Sequence, residues 1–339
     1  MASALVVLLA VLLTAFWALK RGGSGGEEPA GARVFLSDGI TVVRVSGPPR
    51  EKGRALGRAL AERIKGELAR ALPEEGVRAF AVETCGERLA PFLPPAIREE
   101  IEGLAQGAGI SFEEALFLDT RYEIAAFDLA PGASDLPSEG AVGPGPEAAC
   151  LLPTAAAEGL VVVIHEDEDP PLVLVARPGM AGGFLGIKGD VAGAMRPMKA
   201  EAPPSLHGLV WTLLFRRLLE KAPEAPLADD GTGPLSVALA LPGGRATTLS
   251  LSVAGAAIRD AAGRQSVTTD EPVASRPPGE LPRLERSPAA EARIAEDAAR
   301  VLTGALPLGT VRVRLRGGAS GTLAIEGAER PRTISLRAR

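Results

Sequence analysis

Cysteine and histidine are nearly absent. The 339 residues hold two of each: Cys85, Cys150, His165 and His207. Two cysteines exclude a disulfide-rich scaffold and a four-cysteine zinc site, and two histidines exclude a three-histidine metal centre. Aromatic residues make up only 4%, so a core must be built from Ala, Val and Leu. An excess of positive charge is also missing. The net charge is −5, so no nucleic-acid partner is expected. No period of about 20–50 residues recurs, which excludes a solenoid or propeller.

What is present suits a sizeable core. Hydrophobic residues are 46% of the chain, with 40 Gly and 29 Pro. Residues 4–19 (ALVVLLAVLLTAFWAL) carry no charge, and Lys20 and Arg21 follow at once. That run falls between a signal-peptide core and a full membrane span. Residues 1–21 therefore read as a retained membrane anchor or as a signal segment cleaved on secretion. Lys20 and Arg21 favour a cytoplasmic body, and an exported body stays open. Residues 22–31 (GGSGGEEPAG) read as a flexible tether, and residues 32–339 as one domain.

The pattern predicts a hairpin over 34–45 with an Asp38-Gly39 turn. A helix follows over 50–72, with Ala55, Leu56, Ala59, Leu60, Ile64 and Leu68 on one stripe. Gly53 and Gly57, four apart, mark close helix packing. Further helices are expected over 79–92, 96–106 and 112–122, the last opened by a Ser111–Glu114 capping box. Residues 130–149 are rich in Gly, Pro, Ser and Ala and read as exposed and flexible. From Cys150 onward short apolar runs predict strands, with helices over 205–222 and 289–302. A helical first part and a strand-rich second part give an α+β fold.

Cys150 falls where the flexible segment meets the first of these apolar runs. That position suits an N-terminal nucleophile, which is exposed by self-cleavage, here between Ala149 and Cys150. The freed α-amino group, titrating near ~8, is matched to a thiol near ~8.5 and serves as its base. The other reading of such a cysteine is a small buried hydrophobe.

Four stretches carry a resemblance: 45–64 (VSGPPREKGRALGRALAERI), 91–119 (PFLPPAIREEIEGLAQGAGISFEEALFLD), Cys150 itself, and 154–170 (TAAAEGLVVVIHEDEDP). Weaker similarity continues through 186–193, 213–222 and 266–272. Together they resemble the acyl-coenzyme A:6-aminopenicillanic acid acyltransferase family of cysteine N-terminal-nucleophile hydrolases. The resemblance implies a four-layer αββα sandwich. It implies a cysteine amidohydrolase or acyltransferase acting on small acylated amides, without a cofactor or metal. Cys150 is then the nucleophile. Glu166, where the family has Asn, together with Lys188 and Thr269, stands at positions expected near the reacting atoms. His165, Glu168 and Arg217 are expected substrate contacts or supporting groups.

The neighbours of Cys150 depart from the family. Ala149 and Leu151 replace the usual Gly and Ser or Thr. A carboxylate at 166 cannot donate to an oxyanion, although Lys188 could donate there and pair with it. A catalytically impaired homologue that serves as a binding or interaction module is therefore the alternative. Three smaller questions stay open from residues alone. Residues 165–169 (HEDED) read as a solvated loop or a hard-cation site. A Cys85–Cys150 disulfide would form in an exported body. Arg216-Arg217 face either solvent or a substrate carboxylate.

Overall fold

The computed structural model describes residues 31–72, 74–125, 137–198, 208–221, 235–252, 255–261, 265–268, 287–317 and 321–336. Residues 1–30 lie outside these, as do Thr269 and His207. Among the described residues, no helix is long and apolar enough to cross a membrane.

The chain opens with strands β1 (Gly31–Ser37) and β2 (Ile40–Ser46), joined at the expected Asp38-Gly39 turn. Helices α1 (Pro49–Ala71), α2 (Glu75–Thr84), α3 (Pro95–Ala108) and α4 (Phe112–Ala125) follow. Next come β3 (Glu139–Val142), β4 (Glu147–Pro153), the short α5 (Thr154–Ala157), β5 (Val161–His165), β6 (Leu172–Ala176), β7 (Leu185–Lys188) and β8 (Val191–Pro197). The chain continues through α6 (Trp211–Lys221), β9 (Leu235–Leu241), β10 (Arg245–Ser252), β11 (Gly255–Ala261) and β12 (Ser266–Val267). It closes with α7 (Pro288–Thr303), β13 (Thr310–Arg316), β14 (Thr322–Glu326) and β15 (Arg332–Ser335).

Two sheets form. One has nine strands in the order β1-β2-β5-β6-β7-β8-β9-β10-β11; the other has six, β12-β3-β4-β13-β14-β15. All described pairings are antiparallel except β2 with β5. The sheets stack face to face, with β3 and β4 against β7, β8 and β9. Helices α1 and α6 pack on the outer face of the larger sheet, and α3 and α4 join that helical layer through α1 and α6. Helix α7 covers the outer face of the smaller sheet. The α+β class is as expected, in an arrangement of helix, sheet, sheet and helix layers.

Local signals explain several boundaries. The Ser111–Glu114 box forms reciprocally: Ser111 N–H donates to the Glu114 carboxylate at 2.9 Å, and Glu114 N–H donates to Ser111 Oγ at 3.1 Å. Gly109 adopts φ +69° and stops α3. The helix expected over 79–92 instead breaks into α2, a π turn at Cys85–Leu89 and a 3-10 turn at Ala90–Phe92. Pro91 lacks the N–H that an uninterrupted α-helix would need there. The helix expected from 205 begins only at Trp211, after Gly208 at φ +127°.

The largest correction concerns residues 130–149. From residue 137 onward this stretch is mostly not exposed: β3 and β4 pair there, Gly140, Ala141, Val142, Ala148 and Ala149 are buried, and exposure is confined to Ser138 and the turn at Pro144 and Gly145. Its small residues answer a packing demand. A Cβ on Gly140 would lie 2.9 Å from the Ala194 Cβ across the sheet interface. Small side chains here allow two sheets to close, and composition cannot distinguish that from a solvated loop.

Gly53 and Gly57 of α1 meet Gly103 and Gly107 of α3 as expected. A Cβ on Gly53 would overlap the Glu100 carbonyl, and one on Gly103 the Arg50 carbonyl. The clash is with backbone, so no rotamer relieves it. Gly53→Ala and Gly103→Ala should each cost about 2–3 kcal/mol or more in urea unfolding. Gly66→Ala, in the same helix with nothing within 4 Å, should instead gain about 0.5–1 kcal/mol.

Candidate functional site

Alternation along the larger sheet sorts the expected site residues. Thr41 of β2 faces the helices, because its hydroxyl accepts from Arg63 of α1 at 2.7 Å. Residues in register with it share that face. His165, opposite Val45 and Leu172, therefore points into the helical layer, as does Lys188, opposite Leu172. Ile164 and Ile187, one residue earlier on their strands, face the smaller sheet.

Cys150 lies elsewhere. It sits in the middle of β4, opposite Gly140 of β3 and Val313 of β13, and is 0% exposed. Its side chain joins Val142, Ala148 and Leu152 in the core between the sheets, whereas Ala149 and Leu151 face α7. The larger sheet thus separates Cys150 from His165, Lys188 and the groups that pair with them. Burial alone pushes the Cys150 thiol well up, with no cation to oppose it. Cys85 is also buried and its thiol is pushed up to about 12 by burial. It contacts Thr120 Oγ1 at 3.3 Å. Both cysteines are free, so the Cys85–Cys150 disulfide does not form.

The acidic run after β5 resolves into ion pairs. Glu166 accepts from Arg44 at 2.5 Å, Asp167 pairs with Lys52 at 3.3 Å, and Glu168 with Lys188 at 2.7 Å. Lys188 therefore neutralises Glu168, not Glu166 as the sequence suggested. Among the described residues no group of three ligating side chains could hold a metal ion, and each of these three carboxylates has a basic partner. His165 is 1% exposed and its Nδ1 has no hydrogen-bond partner. Burial lowers its pKa well below the ordinary value, and Arg216, Lys52 and Lys188 lower it further. It is a neutral imidazole inside a basic surround.

Buried polar braces hold the helical layer to the larger sheet and its loops. Arg216, offered as a substrate contact, is committed: it forks onto Glu100 at 3.0 and 2.8 Å and donates to the Ala181 carbonyl at 2.8 Å. Arg217 beside it is half-buried on α6. Glu67 pairs with Arg121 at 2.9 Å inside the protein. Asp119 accepts from the N–H groups of Ala181 and Gly182, both at 2.9 Å, and from the Thr212 hydroxyl at 2.8 Å. Only the helical spacing of these charges marked them in the sequence, and surface charges share that spacing. Thr269 lies outside the described residues. Its neighbour Thr268 clasps Gly140 in both directions, N–H to carbonyl at 2.8 Å and hydroxyl from N–H at 3.0 Å.

The cavity lies between the sheets. It has a volume of about 460 Å³ and is walled by Ile164, Val173 and Ile187 from one sheet and Leu315 and Leu336 from the other. Arg44, Glu166, Asp190 and Arg316 provide its polar groups. Of the expected site residues that are described, only Glu166 lines it. Leu315 lies two residues along β13 from Val313, the partner of Cys150, so the cysteine sits about 7 Å deeper. An apolar body with a polar end fits such a lining.

No family model matches the chain, and no curated protein matches it significantly.

Two measurements check this arrangement. Neither thiol should react with a soluble alkylating reagent in the native state, and both should react about a hundredfold faster or more in denaturant. Burial raises the pKa of Asp119 to about 6, outweighing its three donors and Arg216. Above its ordinary value of 3.8, the native state then holds a proton that the unfolded chain has released. Its contribution is complete below about pH 4 and is lost as pH rises through about 6. The loss is on the order of 3 kcal/mol, and Asp119→Asn should flatten that limb of the stability–pH curve.

Proposed function

We propose that this chain is a non-catalytic relative of the cysteine N-terminal-nucleophile sandwich, one that binds a small acylated amide in the cleft between its sheets. The observation that carries this reading is the position of Cys150. Cleavage before it would cut β4 between residues hydrogen-bonded to strands on both sides, rather than release a loose segment. The strand before β4, β3 at Glu139–Val142, carries no thiol. The layer order and the glycine-packed α1–α3 pair support the fold that the resemblance implies. The acyl chain lies against Ile164, Val173, Ile187 and Leu315, and the amide reaches Arg44 and Glu166. Residues 4–19 hold the body at a membrane.

The test uses the full chain in lipid nanodiscs, titrated with a short water-soluble N-acyl amide. Val173→Trp, which fills the cleft from a half-buried position, should weaken binding about tenfold or more. Cys150→Ala should leave affinity unchanged, and the amide should be recovered intact. A wild-type chain split into pieces of roughly 15 and 20 kDa, or amide hydrolysis, either of them lost in Cys150→Ala, would overturn the proposal in favour of the cysteine hydrolase.

A further inference from the structure

The cleft is asymmetric in charge. Its floor is one row across the inner face of the larger sheet: Arg44 of β2, Ile164 of β5, Val173 of β6 and Ile187 of β7 stand in register. Two residues further out along β5, β6 and β7, and so on the same face, the rim is formed by Glu166, Pro171 and Gly189. Gly189 and Asp190 make the turn that joins β7 to β8, since Lys188 pairs with Val191. The rim therefore runs from Glu166, after β5, to Asp190, beyond β7. β6 lies between them, so two strand spacings, about 10 Å, separate the ends of the rim.

At the Glu166 end the charges cancel, because Arg44 donates to the Glu166 carboxylate at 2.5 Å. At the other end they do not. Among the described residues, Asp190 has no hydrogen-bond or ion-pair partner. The basic side chains around it are committed elsewhere. Lys188, two residues before it, turns to the helical face and pairs with Glu168 at 2.7 Å. Arg316 borders the cleft, but it follows the inward-facing Leu315 on β13. Its side chain turns to the opposite face of that strand, where Nε donates to Glu147 at 2.8 Å. Arg33, in register with Arg44, does not border the cleft. On an open surface water would satisfy a carboxylate like Asp190. Here it stands at the lip of an apolar chamber, whose low-dielectric walls concentrate its field on whatever enters.

We propose that the cleft selects a cationic ligand, an N-acylated diamine. Its acyl chain lies on Ile164, Val173 and Ile187, its amide meets the Arg44–Glu166 pair, and its free ammonium meets Asp190. The stem between amide and ammonium crosses the rim along Pro171, which calls for about four carbons, the length of a lysine stem. An acylated amino acid would bring a carboxylate to the same end, where Asp190 repels it. This assignment rests on the binding function proposed above and adds to it the charge of the ligand.

The experiment titrates the full chain, in phosphatidylcholine nanodiscs, with three short hexanoyl amides of matched length. They are the amides of 1,4-diaminobutane, of butylamine and of 4-aminobutanoate. The diamine amide should bind about two- to fivefold more tightly than the neutral one, as a partly exposed ion pair gives. The carboxylate amide should bind more weakly than the neutral one by a similar factor, and both gaps should narrow at high salt. Asp190→Asn should bring the diamine amide to the level of the neutral amide and leave the neutral amide unchanged. The fold is kept in this variant, because Gly189 supplies the positive φ of the turn, +57°, and Asn serves as well as Asp at the next position. Asp190→Lys should reverse the order and favour the carboxylate amide.

Equal affinity of the wild type for all three amides would leave the cleft standing and overturn the charge assignment. A preference for the diamine amide that survives in Asp190→Asn would also overturn it, by giving the ammonium to another carboxylate. Val173→Trp should weaken all three amides alike. A diamine amide that binds Val173→Trp as it binds the wild type lies outside the cleft, and that too overturns the assignment. Binding of none of the three to the wild type would overturn the cleft reading itself.

Discussion

The structure depends on one sheet being covered on both faces. The nine-stranded sheet packs against helices on one side and against a second sheet on the other. With a side-chain period of two, consecutive residues on its strands then belong to different chambers. Ile164 lines the cleft between the sheets, and His165 lies under the helices. Ile187 and Lys188 divide in the same way. A cluster that looks continuous in sequence is thereby split, and its members cannot act together on one molecule.

The two chambers differ in character. Under the helices, buried charge is matched residue by residue: Arg216 with Glu100, Arg121 with Glu67, and Asp119 with two backbone donors and a hydroxyl. Each partner repays part of the other's desolvation, and removing one would leave an uncompensated buried charge. The chamber between the sheets is apolar and closes through small side chains, Gly140 against Ala194 and Gly317 against Ile187. Where that closure ends, toward Leu315 and Leu336, the cleft begins. The same packing that opens a site at the rim seals Cys150 deeper in, where no charged group lowers the cost of a thiolate.

Much of the framework was legible in the sequence because its signals are local. The Asp38-Gly39 hairpin, the Ser111–Glu114 box and the stop at Gly109 each depend on a few neighbouring residues. The pairing of Gly53 and Gly57 with another helix was also legible, since glycines at helical spacing on a buried face have few other uses. The candidate site was much less so. Residues 137–149 read as a loop because Gly and Ala serve solvent exposure and tight sheet packing equally well. Glu166, Asp167 and Glu168 read as one acidic cluster because their partners, Arg44, Lys52 and Lys188, come from distant elements.

The sequence by itself determined the α+β class, those helix starts and stops that rest on a cap or a glycine such as Ser111 and Gly109, the scarcity of metal-ligating side chains and the apolar run at residues 4–19. These follow from composition, spacing and short-range hydrogen bonding, which need no knowledge of what lies across the fold. Only the tertiary structure decided which face of the larger sheet each residue occupies, that Cys150 lies inside a strand with partners on both sides, and that a cavity forms between the sheets beside the turns carrying Pro170, Pro171, Gly189 and Asp190. Those outcomes depend on strand register and on contacts between residues more than a hundred positions apart. A one-residue change of register would exchange the two chambers and leave the composition unchanged.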